Sequence, residues 1–287
     1  MKTNFIKGIS WFIASLIVSV SLDIIQKHLG SKLTSYEITF YRFLLAAITL
    51  LPFVCWKGIK EGNGISQYWK IHLLRGLLLL IAMVTWCYGL TFVPISTAIA
   101  LNYSIPFFTL ILSIPLLGES VNKDRWITTF IGFIGVLVIL NPSSVDFNLS
   151  SLSLIASSFL FALSDVLNKK YVHKETMLNM LFYTALFTCL FGAYPALAHS
   201  SHTFSDNVGL FIALGIGANF LFYCLLKAFK YMEASALAPF RYCDFIISAL
   251  FGFLFFAEKP TNATYLGFII IVPCTLYLTY KENRANV

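Results

Sequence analysis

Apolar residues run along this chain in long unbroken blocks separated by short polar stretches. Ten blocks can be drawn, at 8–29, 36–56, 72–91, 94–117, 124–140, 150–171, 177–197, 207–228, 234–257 and 262–280. About 20 apolar residues let a helix cross the hydrocarbon core of a bilayer. Inside lipid every backbone group must be satisfied within the segment, so each block predicts a helix. The blocks lack the period-two alternation of a β-barrel strand. The expected fold is an all-α membrane protein with ten transmembrane helices.

Composition narrows the function classes. The 287 residues are 58% hydrophobic and 11% charged, where a soluble domain carries about 25% charge. That excludes a soluble enzyme. The block after Lys2 and Lys7 is too long for the core of a signal peptide, so it reads as a first span. Cys55, Cys87, Cys189, Cys224, Cys243 and Cys274 lie in or at the ends of apolar blocks with no Cys-x-x-Cys spacing. They read as buried small residues, with neither a disulfide framework nor a metal site.

The net charge of +7 is spread between the blocks. With the N-terminus in the cytoplasm, 15 of the 20 Lys and Arg fall on the cytoplasmic side, Arg75, Arg125 and Lys169 among them. Lys27, Lys32 and Lys259 fall outside, and Arg42 and Arg241 lie within blocks. This is a positive-inside pattern, with both termini cytoplasmic. The charge is therefore a topology signal and implies no nucleic-acid partner.

The halves resemble each other. Asp23-Ile24-Ile25-Gln26-Lys27 in block one matches Asp165-Val166-Leu167-Asn168-Lys169 in block six. Ser96 to Glu119 matches Ser235 to Glu258, with Tyr103 opposite Tyr242. Five spans per half is an odd number, so repeats at 1–145 and 146–287 would insert with opposite orientation. Inverted repeats are a mark of secondary transporters, whose substrate binds near the midplane between the repeats.

Intramembrane charge is costly and points to function. Pro239, Phe240, Arg241, Tyr242 and Asp244 form the densest cluster, with Asn102 and Tyr103, followed by Pro106, as its counterpart in the matching block. Arg241 can grip a carboxylate with two parallel N–H bonds; alternatively Arg241 and Asp244 neutralise each other on one helix face. Arg42 needs a partner, either Glu37, a carbonyl or substrate. Asp23 with Lys27, and Asp165 with Lys169, have the spacing of intrahelical ion pairs; as a functional reading they are gates or cation sites on opposite sides. Trp86, Tyr41 and Tyr183 are candidate pocket walls, or else packing residues. Glu119 and Glu258 suit loop capping. His28, His72, His173, His199 and His202 lie near loops and read as solvated, and His199 with His202 makes a poor metal cage. No phosphate-binding loop occurs and no histidine lies mid-membrane, which leaves no basis for ATP-driven pumping or an intramembrane enzyme.

With these marks the chain resembles the drug/metabolite transporter superfamily in its EamA-type branch. The resemblance is carried by Glu37…Arg42, Tyr88-Gly89-Leu90…Ala98 and Pro106…Glu119. Leu73-Leu74-Arg75-Gly76, Ser104-Ile105-Pro106-Phe107-Phe108, Met180-Leu181-Phe182-Tyr183 and Ala238-Pro239-Phe240-Arg241-Tyr242 are further similar to the S-adenosylmethionine uptake transporters of intracellular bacteria. The resemblance implies a carrier of the bacterial inner membrane, in contact with lipid and needing no cofactor. It implies import of S-adenosylmethionine, with exchange for S-adenosylhomocysteine as one mode, by alternating access. The cargo's carboxylate would meet Arg241, its cationic centres Asp244 or Asp23, and its adenine an aromatic such as Trp86 or Tyr103. An exporter of amino acids or small drug-like metabolites on the same fold is the competing reading.

Overall fold

The structure, a computed structural model, describes residues 5–29, 33–61, 66–92, 101–140, 149–198, 207–256 and 262–285. These residues form helices and turns, with no strand among them. In order they are α1 (Phe5–Leu29), α2 (Ser35–Glu61), α3 (Trp69–Phe92), α4 (Ile105–Leu117) and α5 (Lys123–Leu140), then α6 (Leu149–Tyr171), α7 (Met177–Ala198) and α8 (Val208–Tyr231). A short turn of helix, Ala234–Leu237, and a 3₁₀ stretch, Ala238–Tyr242, lead into α9 (Cys243–Phe256), and α10 (Asn262–Ala285) follows. Among the described residues, seven stretches are long and apolar enough to cross a membrane. The protein is a multi-span membrane protein.

Two of the ten expected spans are broken, and proline is the reason. Pro106 offers no N–H to the carbonyl four residues back, and Pro239 is equally silent toward Ser235. Before α4 the chain turns at Tyr103 and Ser104, where the Ser104 N–H donates to the Leu101 carbonyl at 3.1 Å. The matching block, expected as one helix over 234–257, splits into helix, 3₁₀ turn and helix.

Unlike a soluble protein, the bundle is apolar on its surface as well as in its core. Ile17, Ile48, Phe53, Ile134, Phe220 and Leu276 are exposed, whereas Ser157, Ser158, Asp165, Asn168, Thr188 and Arg75 are buried. The hydrocarbon side calls for apolar residues, so small and polar groups turn inward to where helices meet. On α6 the buried hydroxyls return to their own backbone: Ser157 and Ser158 both donate to the Leu154 carbonyl, at 2.9 and 3.0 Å. Cys189 and Cys224 are buried as expected, but Cys55 is exposed among the outward apolar residues near the end of α2.

Helix pairs are α1 with α8, α2 with α7 and α8, α3 with α6 and α7, α4 with α6, α1 with α9 and α5 with α10. At two glycines the nearest atoms include backbone of the facing helix. A Cβ on Gly76 would lie 2.5 Å from Phe187 Cβ and 3.0 Å from the Thr188 nitrogen. A Cβ on Gly215 would lie 2.8 Å from Leu45 Cβ and 2.9 Å from the Ala46 nitrogen. Gly76 and Gly215 are each the eighth residue of their helix. Phe187 and Leu45 are each the eleventh of theirs. Backbone cannot yield as a side-chain tip can, so Gly76→Val and Gly215→Val should each cost about 1–3 kcal/mol. Thermal unfolding in detergent checks this; an unchanged midpoint in both variants would contradict the close approach.

Candidate functional site

The 3₁₀ stretch carries Arg241 to α6 instead of along its own helix. Its Nη2 donates to Asp165 Oδ2 at 2.5 Å. This replaces two sequence expectations. Arg241 and Asp244 do not neutralise each other by hydrogen bonding on one face, because the long guanidinium arm finds a better acceptor on the neighbouring helix. Nor is Asp165 held by Lys169. The Lys169 ammonium donates to the Phe229 carbonyl at 2.6 Å and to that of Met232, closing the C-terminal end of α8, where carbonyls lack helical partners and a cation is favoured.

Asp244, the second residue of α9, is left with a buried Oδ1 that meets no hydrogen-bond donor among the described residues. It lies within electrostatic reach of Asp23 and of Arg241. Asp23 is the nineteenth of the 25 residues of α1. It reaches solvent, accepts from Gln26 Nε2 at 3.2 Å, and faces the charge of Arg42 on α2. Arg42 is 8% exposed. Its guanidinium carbon stands 5.7 Å from the Phe43 ring centroid, and its buried Nε has no acceptor among the described residues. Glu37, one of the partners the sequence offered, caps its own helix. Its Oε2 accepts from the Thr34 N–H at 2.8 Å and hydroxyl at 2.9 Å, while its own N–H turns to Thr34 Oγ1 at 3.3 Å. That is a reciprocal capping box at the start of α2.

Tyr103, just before α4, sits among these charges, within reach of Asp244, Arg241 and Asp23. Its ring centroid is 5.8 Å from that of Tyr242 and 6.5 Å from that of Phe245. Tyr242 is fully buried and lies against the bare backbone of Gly132 on α5. Three acids, two arginines and a wall of aromatic rings thus gather where both broken helices pass. Such a place can hold a ligand that carries charge of both signs.

The other sequence candidates stand around this centre. Trp86 is half-buried against Leu154, and Asn102 Oδ1 accepts from the Ser158 hydroxyl at 3.4 Å. Tyr41 packs on Phe211 at 5.2 Å. Phe240 is buried and meets Phe5 edge-on at 6.4 Å. The side chain of Lys27, and Ser96, Lys32, His199, His202, Glu258 and Lys259, lie outside the described residues.

Tyr183 belongs to a second polar cluster that sequence reasoning missed. His72 and Arg75, expected as a solvated histidine and an orientation charge, are 0% and 1% exposed. Arg75 donates to Asn168 Oδ1 from Nε at 2.9 Å and from Nη2 at 2.6 Å, and to His72 Nδ1 at 3.1 Å. Arginine can only donate, so Nδ1 must accept and the ring proton sits on Nε2. Nε2 then faces Ser66 Oγ at 3.1 Å and Glu175 Oε2 at 3.4 Å, while the Ser66 hydroxyl donates to Glu175. The ring stacks on Tyr183 at 5.2 Å. Burial pushes the Glu175 carboxyl up, but hydrogen bonds from Ser66, the Thr176 N–H, Asn179 and His72 outweigh it and hold the group below its ordinary range. The signal available in sequence was the three-residue spacing of His72 and Arg75 on one helix face.

A third cluster ties the start of the broken segment to α4 and α5. Gly118, at φ 69°, ends α4 in a left-handed turn. The next residue, Glu119, accepts from the N–H groups of Ala234 and Ser235, both at 2.9 Å, and from the Ser235 hydroxyl at 2.6 Å. Arg125 donates to Glu233 at 2.5 Å and to Ser235 Oγ at 2.7 Å. Like Arg75, Arg125 is a buried structural cation and not a solvated edge charge.

Comparison with known proteins follows the same lines. The profile of the EamA-like transporter family matches residues 6–141 and, a second time, 148–280. Over 285 residues the chain is 41% identical to the S-adenosylmethionine uptake transporter of Rickettsia prowazekii, covering 99% of this chain and 96% of that protein. It is 28% identical over 291 residues to the riboflavin transporter of Vibrio cholerae, covering 100% and 97%. A solved crystal structure of 16% identity has the same fold, with a TM-score of 0.80 over 98% of this chain and 99% of that one.

Proposed function

We propose that this chain, which belongs to the EamA-like transporter family, imports S-adenosylmethionine across the bacterial inner membrane by alternating access. It is a transporter and not an enzyme, as its relatives are. The observation that carries the cargo assignment is the mixed-charge centre with two unspent groups, Arg42 Nε and Asp244 Oδ1. S-adenosylmethionine brings a carboxylate for the first and cationic centres for the second, and its adenine can lie on an aromatic face such as Tyr103. The relative named for S-adenosylmethionine uptake, 41% identical over nearly the full length, supports the same cargo. The carboxylate is assigned to Arg42 and not to Arg241, since Asp165 already holds Arg241.

The working units are two five-helix repeats, 1–145 and 146–287, inserted in opposite orientation. The helix pairings support this. Exchanging each helix for the one five places on turns α1 with α8 into α6 with α3, α2 with α8 into α7 with α3, and α1 with α9 into α6 with α4, all of them real pairs. The glycine approaches at Gly76 and Gly215 exchange in the same way. With both termini cytoplasmic, as the placement of Lys and Arg supports, Asp23 lies toward the outside and Asp165 toward the inside. The open Asp23 and the closed Arg241–Asp165 pair then correspond to an outward-facing state. Purified protein in sealed vesicles should take up labelled S-adenosylmethionine saturably, with S-adenosylhomocysteine competing. Absence of saturable uptake would overturn the assignment.

A further inference from the structure

The centre holds an uneven count of charge. Arg241 is bonded to Asp165, and Arg42 faces Asp23. Asp244 is the third acid, and no third cation stands with it among the described residues that act on it. From α1 it meets Asp23, a like charge, and from its own segment Arg241, already engaged. Tyr103, ahead of α4, and Cys243 beside it are neutral neighbours. From α10, Thr275 approaches Cys243 and brings no charge. A carboxylate whose Oδ1 is buried without a donor is unfavourable in a place of low dielectric unless a cation or a proton joins it.

Resting on the function proposed above, the two related ligands differ by one unit of charge. S-adenosylmethionine has a carboxylate, an ammonium and a sulfonium, for a net of +1 near neutral pH. S-adenosylhomocysteine lacks the transferred methyl group, has a neutral thioether, and is net zero. The rings of Tyr103 and Phe245 near this acid are the kind of surface that a sulfonium prefers. We propose that Asp244 reads the cargo's sulfonium charge, and that it carries a proton whenever the pocket holds the neutral thioether or stands empty. Asp244 is thus the specificity residue for the cation. Exchange of S-adenosylmethionine inward for S-adenosylhomocysteine plus one proton outward then moves the same charge each way. The balance is complete: the proton joins Asp244 on the side where the cationic ligand leaves, and departs on the side where the next one enters.

Calorimetric titration of the purified full chain, in two buffers of different ionisation enthalpy, tests this. The wild type should take up about one more proton on binding S-adenosylhomocysteine than on binding S-adenosylmethionine. In Asp244→Asn, a fixed neutral mimic, S-adenosylmethionine should bind at least about tenfold more weakly while S-adenosylhomocysteine changes by less than about threefold, and the proton difference should vanish. Equal proton counts in the wild type, or equal losses for both ligands in a folded variant, overturn the assignment. If the variant does not fold, the wild-type proton count decides alone. A wild type that binds neither ligand would instead overturn the function itself.

Discussion

Arg75→Ala should be the most destabilising single change in the bundle, costing about 3–5 kcal/mol. Its guanidinium is fully enclosed and donates to Asn168 twice, to His72 and to the Met180 carbonyl. Removing it strands Asn168 Oδ1 and His72 Nδ1 inside the protein, although the Met180 carbonyl keeps the Thr184 hydroxyl at 2.7 Å, and each buried group left without a partner costs about 1–3 kcal/mol. It also takes away the cation that faces Glu175. Lysine should not rescue, since a point charge cannot fork onto the Asn168 oxygen. Unfolding in detergent gives the measurement. A wild-type midpoint with lost uptake would mean instead that Arg75 serves the transport path, near the crevice it shares with Thr184, Asn219 and Phe222.

The largest effect on transport should come from the Arg241–Asp165 pair. At 2.5 Å it is a short charge-assisted bond, and it joins the broken segment to α6. Asp165→Ala leaves Arg241 without its counter-charge, a loss of about 3–5 kcal/mol in a buried setting. Both side chains keep partial exposure, 25% and 12%, so solvent screening lowers the figure and about 2–3 kcal/mol is the better expectation. Each 1.4 kcal/mol shifts the balance of states tenfold, so uptake should fall by roughly 30- to 140-fold. Asp165→Arg combined with Arg241→Asp should restore a substantial part of it. Singles that transport normally would remove the pair from the cycle. A swap as inactive as the singles would show that one of the two touches cargo directly.

The helices were legible because apolar runs must be long in lipid, but each broken block reads as one continuous run, and the prolines that break them, Pro106 three residues after Tyr103 and Pro239 three before Tyr242, do not align with each other. Glu119 was legible as a loop cap because it stands at the end of an apolar run. Partnerships were not. Local spacing suggested Asp165 with Lys169, but both side chains are long or charged enough to reach other helices, and each found a better partner there. Arg75 and His72 were hidden for a different reason. A cation near the edge of an apolar block looks the same in sequence whether it points to water or to the Asn168 side chain.

The paired glycine contacts also have a mechanical side. When two halves of a bundle rock, points of direct backbone contact travel least, because no flexible side chain lies between them to take up the displacement. Gly76 on Phe187 and Gly215 on Leu45 are two such points, each joining the stretch of the first family match to that of the second. In such a motion they would act as a pair of bearings. In the alternating-access cycle proposed above, the line through them would be an axis about which one mouth narrows as the other widens, and a side chain at either glycine would lengthen one bearing and tilt that axis.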